Sequence, residues 1–316
     1  MAAMNSETAD VTVVMPAFQA AATIGPALDS IADQTTPPRE LIVVDDGSTD
    51  GTVEAVRTRR PRFSGTWLRL FRQDHRGPGA ARNRALSEAQ GRYIAFLDAD
   101  DLWLPTKLER SLEVLRAGNH IMVAHDIIEV TVSGERHVDC RARWLRNPGD
   151  PLRTLYLRGY ISSSTVVVER EAVLAAGGFN ADLPSAQDYD LWLTILARIG
   201  PRFELFAEPL LRYHLHGAGI TGKIEQRQRC NLAILRAHVD DLKRTPGAVL
   251  PLIIARTAAV HLETIAGYRS RGDMVAAMAC AAALPWECLK SLAAVAGPSS
   301  PRRNYLADLP PAAEQA

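Results

Sequence analysis

Residues 41–52 read LIVVDDGSTDGT, and residues 93–101 read YIAFLDADD. Each is a continuous apolar run that ends in acids. An apolar run without alternation reads as a strand buried on both faces. VTVVMP (11–16) is of the same kind, and WLRLFRQ (67–73) supplies a further strand. Helix-like segments separate these runs: TIGPALDSIADQ (23–34), a turn of helix through Val53 and Val56, and GPGAARNRALSEAQG (77–91). The last of these has Gly and Pro at its start and Gly at its end, the start and stop signals of a helix. PTKLERSLEVLRAG (105–118) follows the fourth strand and is expected to open at Pro105. Buried strands alternating with helices of 10–15 residues predict βαβ units, and so an α/β fold with a mostly parallel sheet.

The middle of the chain is less regular. HIMVAHDIIEVTVSGERHV (120–138) predicts a strand and a hairpin about Ser133-Gly134, and STVVVERE (164–171) a strand. EAVLAAGGFN (171–180) reads as a short helix, and QDYDLWLTILARIG (187–200) as an apolar helix with acids in its first turn. FELFAEPLLRYHLHG (203–217) suggests two short strands broken near Pro209. Segments 223–244, 247–268 and 272–296 look helical, and PSSPRRNYLADLPPAAEQA (298–316) reads as a flexible tail. The expected division is 1–222 for the α/β unit, 223–298 for a helical extension and 299–316 for the tail.

Lys+Arg and Asp+Glu are both 36 in the 316 residues, so the chain lacks the basic footprint of nucleic-acid binding. From Lys223 onward there are 12 basic and 8 acidic residues, a balance of +4. The four cysteines form no C-x-x-C pair, which fits reduced thiols in a cytosol. The N-terminus has no signal-peptide pattern, and no run of 18 apolar residues is uninterrupted, so a cytoplasmic protein without a spanning helix is expected.

The acids at the ends of two strands carry the functional argument. In an open parallel sheet, ligands bind outside the carboxyl ends of the strands. Asp45 and Asp46 would meet Asp98, Asp100 and Asp101 on that edge. Two like charges about 4 Å apart repel by about 4 kcal/mol at an effective dielectric of 20. A divalent cation removes this cost, and Mg²⁺ is commonly held by one or two carboxylates together with substrate phosphates. On an extended segment Asp98 and Asp100 would face one side, leaving Asp101 to a capping role.

VTVVMPAFQAAATI, LIVVDDGSTDGT, GPGAARNRAL and GRYIAFLDADDLWLP, in that order, resemble the inverting nucleotide-sugar glycosyltransferases of family 2, with a GT-A fold. The resemblance covers Val11 to about Thr221. It implies a Rossmann-like, mostly parallel sheet flanked by helices, to which residues 223–298 add a C-terminal helical extension. It also implies a nucleotide-sugar donor and a divalent cation, Mg²⁺ or Mn²⁺. Pro16, Ala17 and Phe18 match the segment beside the nucleotide base. Asp46 matches the acid that accepts from a pyrimidine N3–H, which points to a UDP or dTDP sugar; a carboxylate only accepts and the imide only donates. Arg82 matches a basic residue beside the nucleotide. Asp98 and Asp100 match the D-x-D motif, Asp98 near the ribose and diphosphate and Asp100 on the metal. Gln19 and Ala21 depart from the family's usual Asn and acid.

By the same resemblance Asp188, in Q-D-Y-D-L-W, matches the catalytic acid residue that takes the acceptor proton, and His216 matches a His that helps bind metal or diphosphate. A first-turn position favours the ionised form of Asp188 through the helix dipole, and Asp190 reads as a first-turn acid for the dipole alone. The Q-x-x-R-W motif of processive members is absent after Asp188; Cys140-Arg141-Ala142-Arg143-Trp144 is the nearest approach. One sugar per encounter is therefore expected. The acceptor is a hydroxyl, and a lipid-linked glycan would suit the +4 extension. The helices about Trp286 and Lys290 suit a membrane interface, a soluble cap or contact with a second copy. A degenerate nucleotide-sugar binder and a sugar-phosphate nucleotidyltransferase are the competing functions. The second would need a basic, Gly-rich loop after the first strand, where AFQAAAT carries no basic residue.

Overall fold

The computed structural model describes residues 8–145, 150–159, 161–214 and 223–297. Four parallel strands form one half of the sheet: β1 (Ala9–Ala17), β2 (Pro38–Asp45), β3 (Trp67–Arg72) and β4 (Tyr93–Phe96). The helices α1 (Ile24–Ala32), α2 (Thr52–Arg59) and α3 (Pro78–Glu88) connect them. Val11, Val13, Val14 and Met15 of β1 and Leu41 to Val44 of β2 are wholly buried, as continuous apolar runs require.

The other half is mixed. β5 (Leu102–Trp103) and α4 (Lys107–Ala117) precede the hairpin of β6 (Met122–Thr131) and β7 (Gly134–Val138). The helices α5 (Cys140–Leu145) and α6 (Pro151–Arg158) lead to β8 (Val167–Glu169) and α7 (Arg170–Ala175). Then come α8 (Gln187–Arg198) and β9 (Phe203–His214). The strand order is β3-β2-β1-β4-β8-β6-β9-β5, with β7 on β6. β8 runs antiparallel to β4 and to β6, so the parallel half ends at β4.

Two expectations are corrected. The segment 203–214 is one strand, because Pro209, which has no N–H to donate, sits opposite Asp126 where the β6–β9 register shifts. The extended run also stops at Phe96, and residues 98–101 form a turn closed by Asp101 N–H donating to the Asp98 carbonyl at 3.2 Å. Side-chain alternation along a strand therefore does not govern Asp98 and Asp100. A smaller difference is that α4 starts at Lys107 rather than at Pro105.

The C-terminal helices are α9 (Ile224–Ala237), α10 (Val239–Lys243), α11 (Val249–Ser270) and α12 (Met274–Ala296). Cys230, Ile234, Leu235, Leu242, Ile253 and Val260 are buried in the same contiguous core as the sheet. The expected boundary at residue 222, His216 and the tail 299–316 lie outside the described residues. α11 and α12 each contain an 18-residue window apolar enough to cross a membrane, with mean hydropathy 1.5 and 1.3. Of the residues that interrupt the apolar run of α11, Arg256 and His261 are turned inward and buried, while Glu263 is exposed.

Candidate active site

Asp45 ends β2, and Asp46 and Gly47 make the turn beyond it. Gly47 adopts φ +83, and a Cβ there would meet the His75 backbone nitrogen at 3.0 Å. Only glycine lets the 73–77 loop lie so close against this turn. That loop wraps Asp46. Its Oδ1 accepts from Gln73 Nε2 at 2.7 Å and from Arg76 N–H at 3.0 Å. Its Oδ2 accepts from Gly77 N–H at 2.8 Å and lies 2.9 Å from His75 Nδ1. A carboxylate has about four lone-pair directions. Asp46, 2% exposed, has a partner in each. In this arrangement Asp46 holds the 73–77 loop against the turn after β2.

Pro16 and Ala17 end β1, and the Ala17 carbonyl accepts from Asp46 N–H at 2.8 Å. Phe18 is exposed and stacks on His75, ring centroids 4.0 Å apart. Gln19, the departure from the family pattern, has work to do here. Its side-chain oxygen accepts from the N–H groups of Thr49 and Asp50 at 3.1 and 3.3 Å, tying the first loop to the second. Neither His75 nor the role of Gln19 was legible beforehand.

β1 lies between β2 and β4, so the acids after β2 and β4 stand about 10 Å apart across two strand spacings. Asp98 and Arg82 meet in an ion pair, Nη2 to Oδ1 2.5 Å. Arg82 projects from α3, is buried, and packs on the Phe179 ring at 5.3 Å. Its Nε is buried without a hydrogen-bond partner among the described residues. Asp188, in the first turn of α8, completes the group. Its Oδ1 accepts from Tyr189 N–H at 2.8 Å, and Ser163 Oγ lies 3.5 Å from its Oδ2 and 3.5 Å from Arg82 Nη2. Asp98, Arg82, Ser163 and Asp188 are thus brought together.

Burial raises the Asp188 carboxyl above its ordinary range; the positive charge of Arg82 counters this and the negative charge of Asp98 adds to it. Asp101 is pushed well above the usual carboxylate range, first by burial and then by Asp98 and Asp100. It is no exposed cap. Ser164 Oγ donates to it at 2.6 Å and the His214 N–H at 3.3 Å. Ser164 Oγ also accepts from Asp98 N–H at 3.2 Å, so one hydroxyl fixes both ends of the acidic turn. The run Ser162-Ser163-Ser164 gave no sequence signal of this.

The donor chemistry of the turn suits a cation shared with a ligand. The negative charges of Asp98 and Asp100 both bear on Asp101, a crowding that a positive ion relieves. Among the described residues no three His, Cys, Asp or Glu side chains close around one point. Mg²⁺ and Mn²⁺ sites commonly borrow phosphate oxygens and water.

Residues 12–172 match the model of glycosyl transferase family 2. The chain is 31% identical over 213 residues to the amylovoran biosynthesis glycosyltransferase AmsB of Erwinia amylovora, covering 65% of this chain and 69% of AmsB. It is 31% identical over 194 residues to the UDP-Glc:alpha-D-GlcNAc-diphosphoundecaprenol beta-1,3-glucosyltransferase WfgD of Escherichia coli, covering 59% of this chain and 69% of WfgD. Among solved structures, the mannosyltransferase PcManGT from Pyrobaculum calidifontis, in complex with GDP-Man and Mn²⁺, superposes with a TM-score of 0.62 at 24% identity, covering 96% of this chain and 84% of that one. S. aureus TarS 1–349 in complex with UDP-GlcNAc gives 0.62 at 19% identity, covering 82% of this chain and 72% of that one. At these identities the two structures speak for the fold, which is GT-A type. The chain belongs to glycosyl transferase family 2, and is a glycosyltransferase.

Proposed function

We propose that this chain is a metal-dependent, inverting glycosyltransferase that moves one sugar from a UDP or dTDP sugar to a hydroxyl of a lipid-linked glycan. The observation that carries this is the meeting of Asp188, Arg82 and Asp98 at the carboxyl edge. A base and a phosphate-binding cation stand there side by side. The E. coli relative is named for transfer from UDP-Glc to a diphosphoundecaprenol-linked sugar, which supports the donor and acceptor classes.

Asp188 takes the proton of the acceptor hydroxyl as that oxygen attacks the sugar carbon from the face opposite the leaving diphosphate. Its raised pKa brings it closer to the working pH, which suits a general base. Arg82 offers the guanidinium N–H groups not engaged by Asp98 to the diphosphate and holds Asp98 near the ribose. Asp100, with His216, would hold Mg²⁺ or Mn²⁺, and that ion when bound supplies Lewis-acid stabilisation of the departing diphosphate. The stacked pair of Phe18 and His75 lies to one side of the base, with Pro16 and Ala17 forming the floor. Asp46 reaches a pyrimidine N3–H by exchange with the half-exposed His75, its most replaceable partner. Residues 1–222 form the catalytic unit in this reading.

A thermal-shift screen of UDP, dTDP and GDP sugars with Mn²⁺ tests the donor assignment. UDP or dTDP sugars should raise the melting temperature only with the metal. A larger shift with GDP-mannose would overturn the pyrimidine assignment.

The exposed face of α12 supports the membrane part of the reading. Val275, Met278, Trp286 and Leu289 are more than half exposed, spaced as one helical stripe with alanines between. The nearby Lys290 stacks its ammonium 5.8 Å from the Trp286 ring. An apolar stripe with a Trp and a Lys at its margin suits an anionic lipid surface. The protein should co-float with vesicles of phosphatidylcholine and phosphatidylglycerol, and Met278→Glu with Trp286→Glu should abolish this. Wild-type protein left at the bottom of the gradient would remove the membrane reading. Concentration-dependent dimers in light scattering, lost in the same variant, would assign the face to a second copy.

A further inference from the structure

The family match stops at residue 172, yet Asp188 stands on a helix beyond it. The start of that helix is weak by itself. No side chain caps it, and the preceding residue, Ala186, is a non-glycine in the left-handed region at φ 59. Loss of a cap and a left-handed alanine each favour fraying of a first turn. The two residues after Asp188 are held from outside. Asp190 Oδ1 receives a hydrogen bond from His238 Nε2 at 2.8 Å, and His238 Nδ1 reaches Asp241 Oδ2 at 3.0 Å. His238 is wholly buried at the junction of α9 and α10. The Tyr189 hydroxyl donates to the Tyr156 carbonyl at 2.8 Å, and the positive charge of the buried Arg256 of α11 acts on it from close by. The Tyr156 hydroxyl in turn donates to the Leu235 carbonyl of α9 at 2.9 Å.

We infer that the C-terminal helices brace the turn carrying Asp188, and that His238 and Arg256 are positioning residues for the catalytic base. Asp190 is the other half of this brace rather than an acid kept for the helix dipole. The inference rests on the assignment of Asp188 as the base. A base must stand within hydrogen-bond reach of the proton it takes, and a displacement of about 1 Å can cost about 10²-fold in rate. Tying residues 189 and 190 to three helices holds residue 188 to that tolerance. It also explains why helices outside the family match share the core of the catalytic sheet.

The test uses the full chain with Asp190→Ala, Asp190→Asn, His238→Gln and Arg256→Gln. Hydrogen exchange of residues 186–191 is measured against that of β1 and β2. Turnover is followed as release of the nucleoside diphosphate, with water as the sugar acceptor, from UDP-glucose or from the nucleotide sugar that gives the largest thermal shift with Mn²⁺. Exchange at 186–191 should accelerate about 10-fold or more in Asp190→Ala and His238→Gln, with β1 and β2 unchanged. The value of kcat should fall about 10-fold or more with donor KM within about 2-fold, and Asp190→Asn, which keeps an acceptor for Nε2, should restore most of both. Exchange at 186–191 no faster than wild type, or equal acceleration throughout the sheet, overturns the brace. A wild-type chain inactive on every nucleotide sugar counts against the function above, and the exchange measurement still decides the brace. Local loosening with kcat unchanged counts against Asp188 as the base.

Discussion

Asp188→Asn should bind donor and Mn²⁺ within a few-fold of wild type and lose about 10²-fold or more in kcat, at least about 2.7 kcal/mol of transition-state stabilisation. The substitution keeps size and shape, and the Asn side-chain oxygen can still accept from Tyr189 N–H, which Asp188 does at 2.8 Å. What it removes is the capacity to take a proton. Donor contacts are expected from Arg82, Asp98 and the loops of β1 and β2, so the loss should fall on kcat rather than on binding. Wild-type activity should decline toward acid pH. The direction follows from the group: a base works ionised, so activity is lost as pH falls through its pKa. Burial places that pKa above the ordinary carboxylate range. Initial rates with saturating donor, and thermal shifts for binding, separate the two effects. A rate within a few-fold of wild type would remove Asp188 from its role.

The parallel half of the sheet was legible because burial on both faces leaves a simple signature. Leu41 to Val44 and Ile94 to Phe96 contain no polar side chain, and both runs stop at acids where the chain leaves the core. The mixed half was harder. Pro209 reads as a break in isolation, yet a register shift beside β6 absorbs it within one strand. The motif marks Asp98 and Asp100, but strand geometry does not apply to them because the run turns after Phe96. Roles that depend on partners far along the chain left no local trace. Ser164 fixes the acidic turn from more than sixty residues away, and His238 meets Asp190 across 48 residues. Such contacts join side chains whose types are common at turns and helix ends, so spacing alone does not separate them from solvated residues. Asp46 shows the converse: the motif singles it out, but a local pattern does not reveal how many donors a folded loop will send to one carboxylate.

Arg82→Gln should reduce kcat/KM by about 10²-fold or more and move the acid limb of the rate to higher pH. Three losses combine. The donor diphosphate loses a buried cation, and charge-assisted hydrogen bonds are about twice as strong as neutral ones. Asp98 loses its 2.5 Å partner. With the side chain of Asp98 30% exposed, water offsets part of that loss, so folding stability should change less than activity. Asp188 loses the positive charge that counters its burial, while the opposing charge of Asp98 remains. Its pKa must therefore rise further, and the pH at which half of it is ionised rises with it. Arg82→Lys should recover part of the pH shift, because it restores a charge, but less of the donor affinity, because an ammonium lacks the planar fork that can serve Asp98 and a phosphate together. Rate–pH profiles of the three proteins decide this. An acid limb that stays in place in Arg82→Gln, in a protein that still turns over, would show that Arg82 does not act on Asp188.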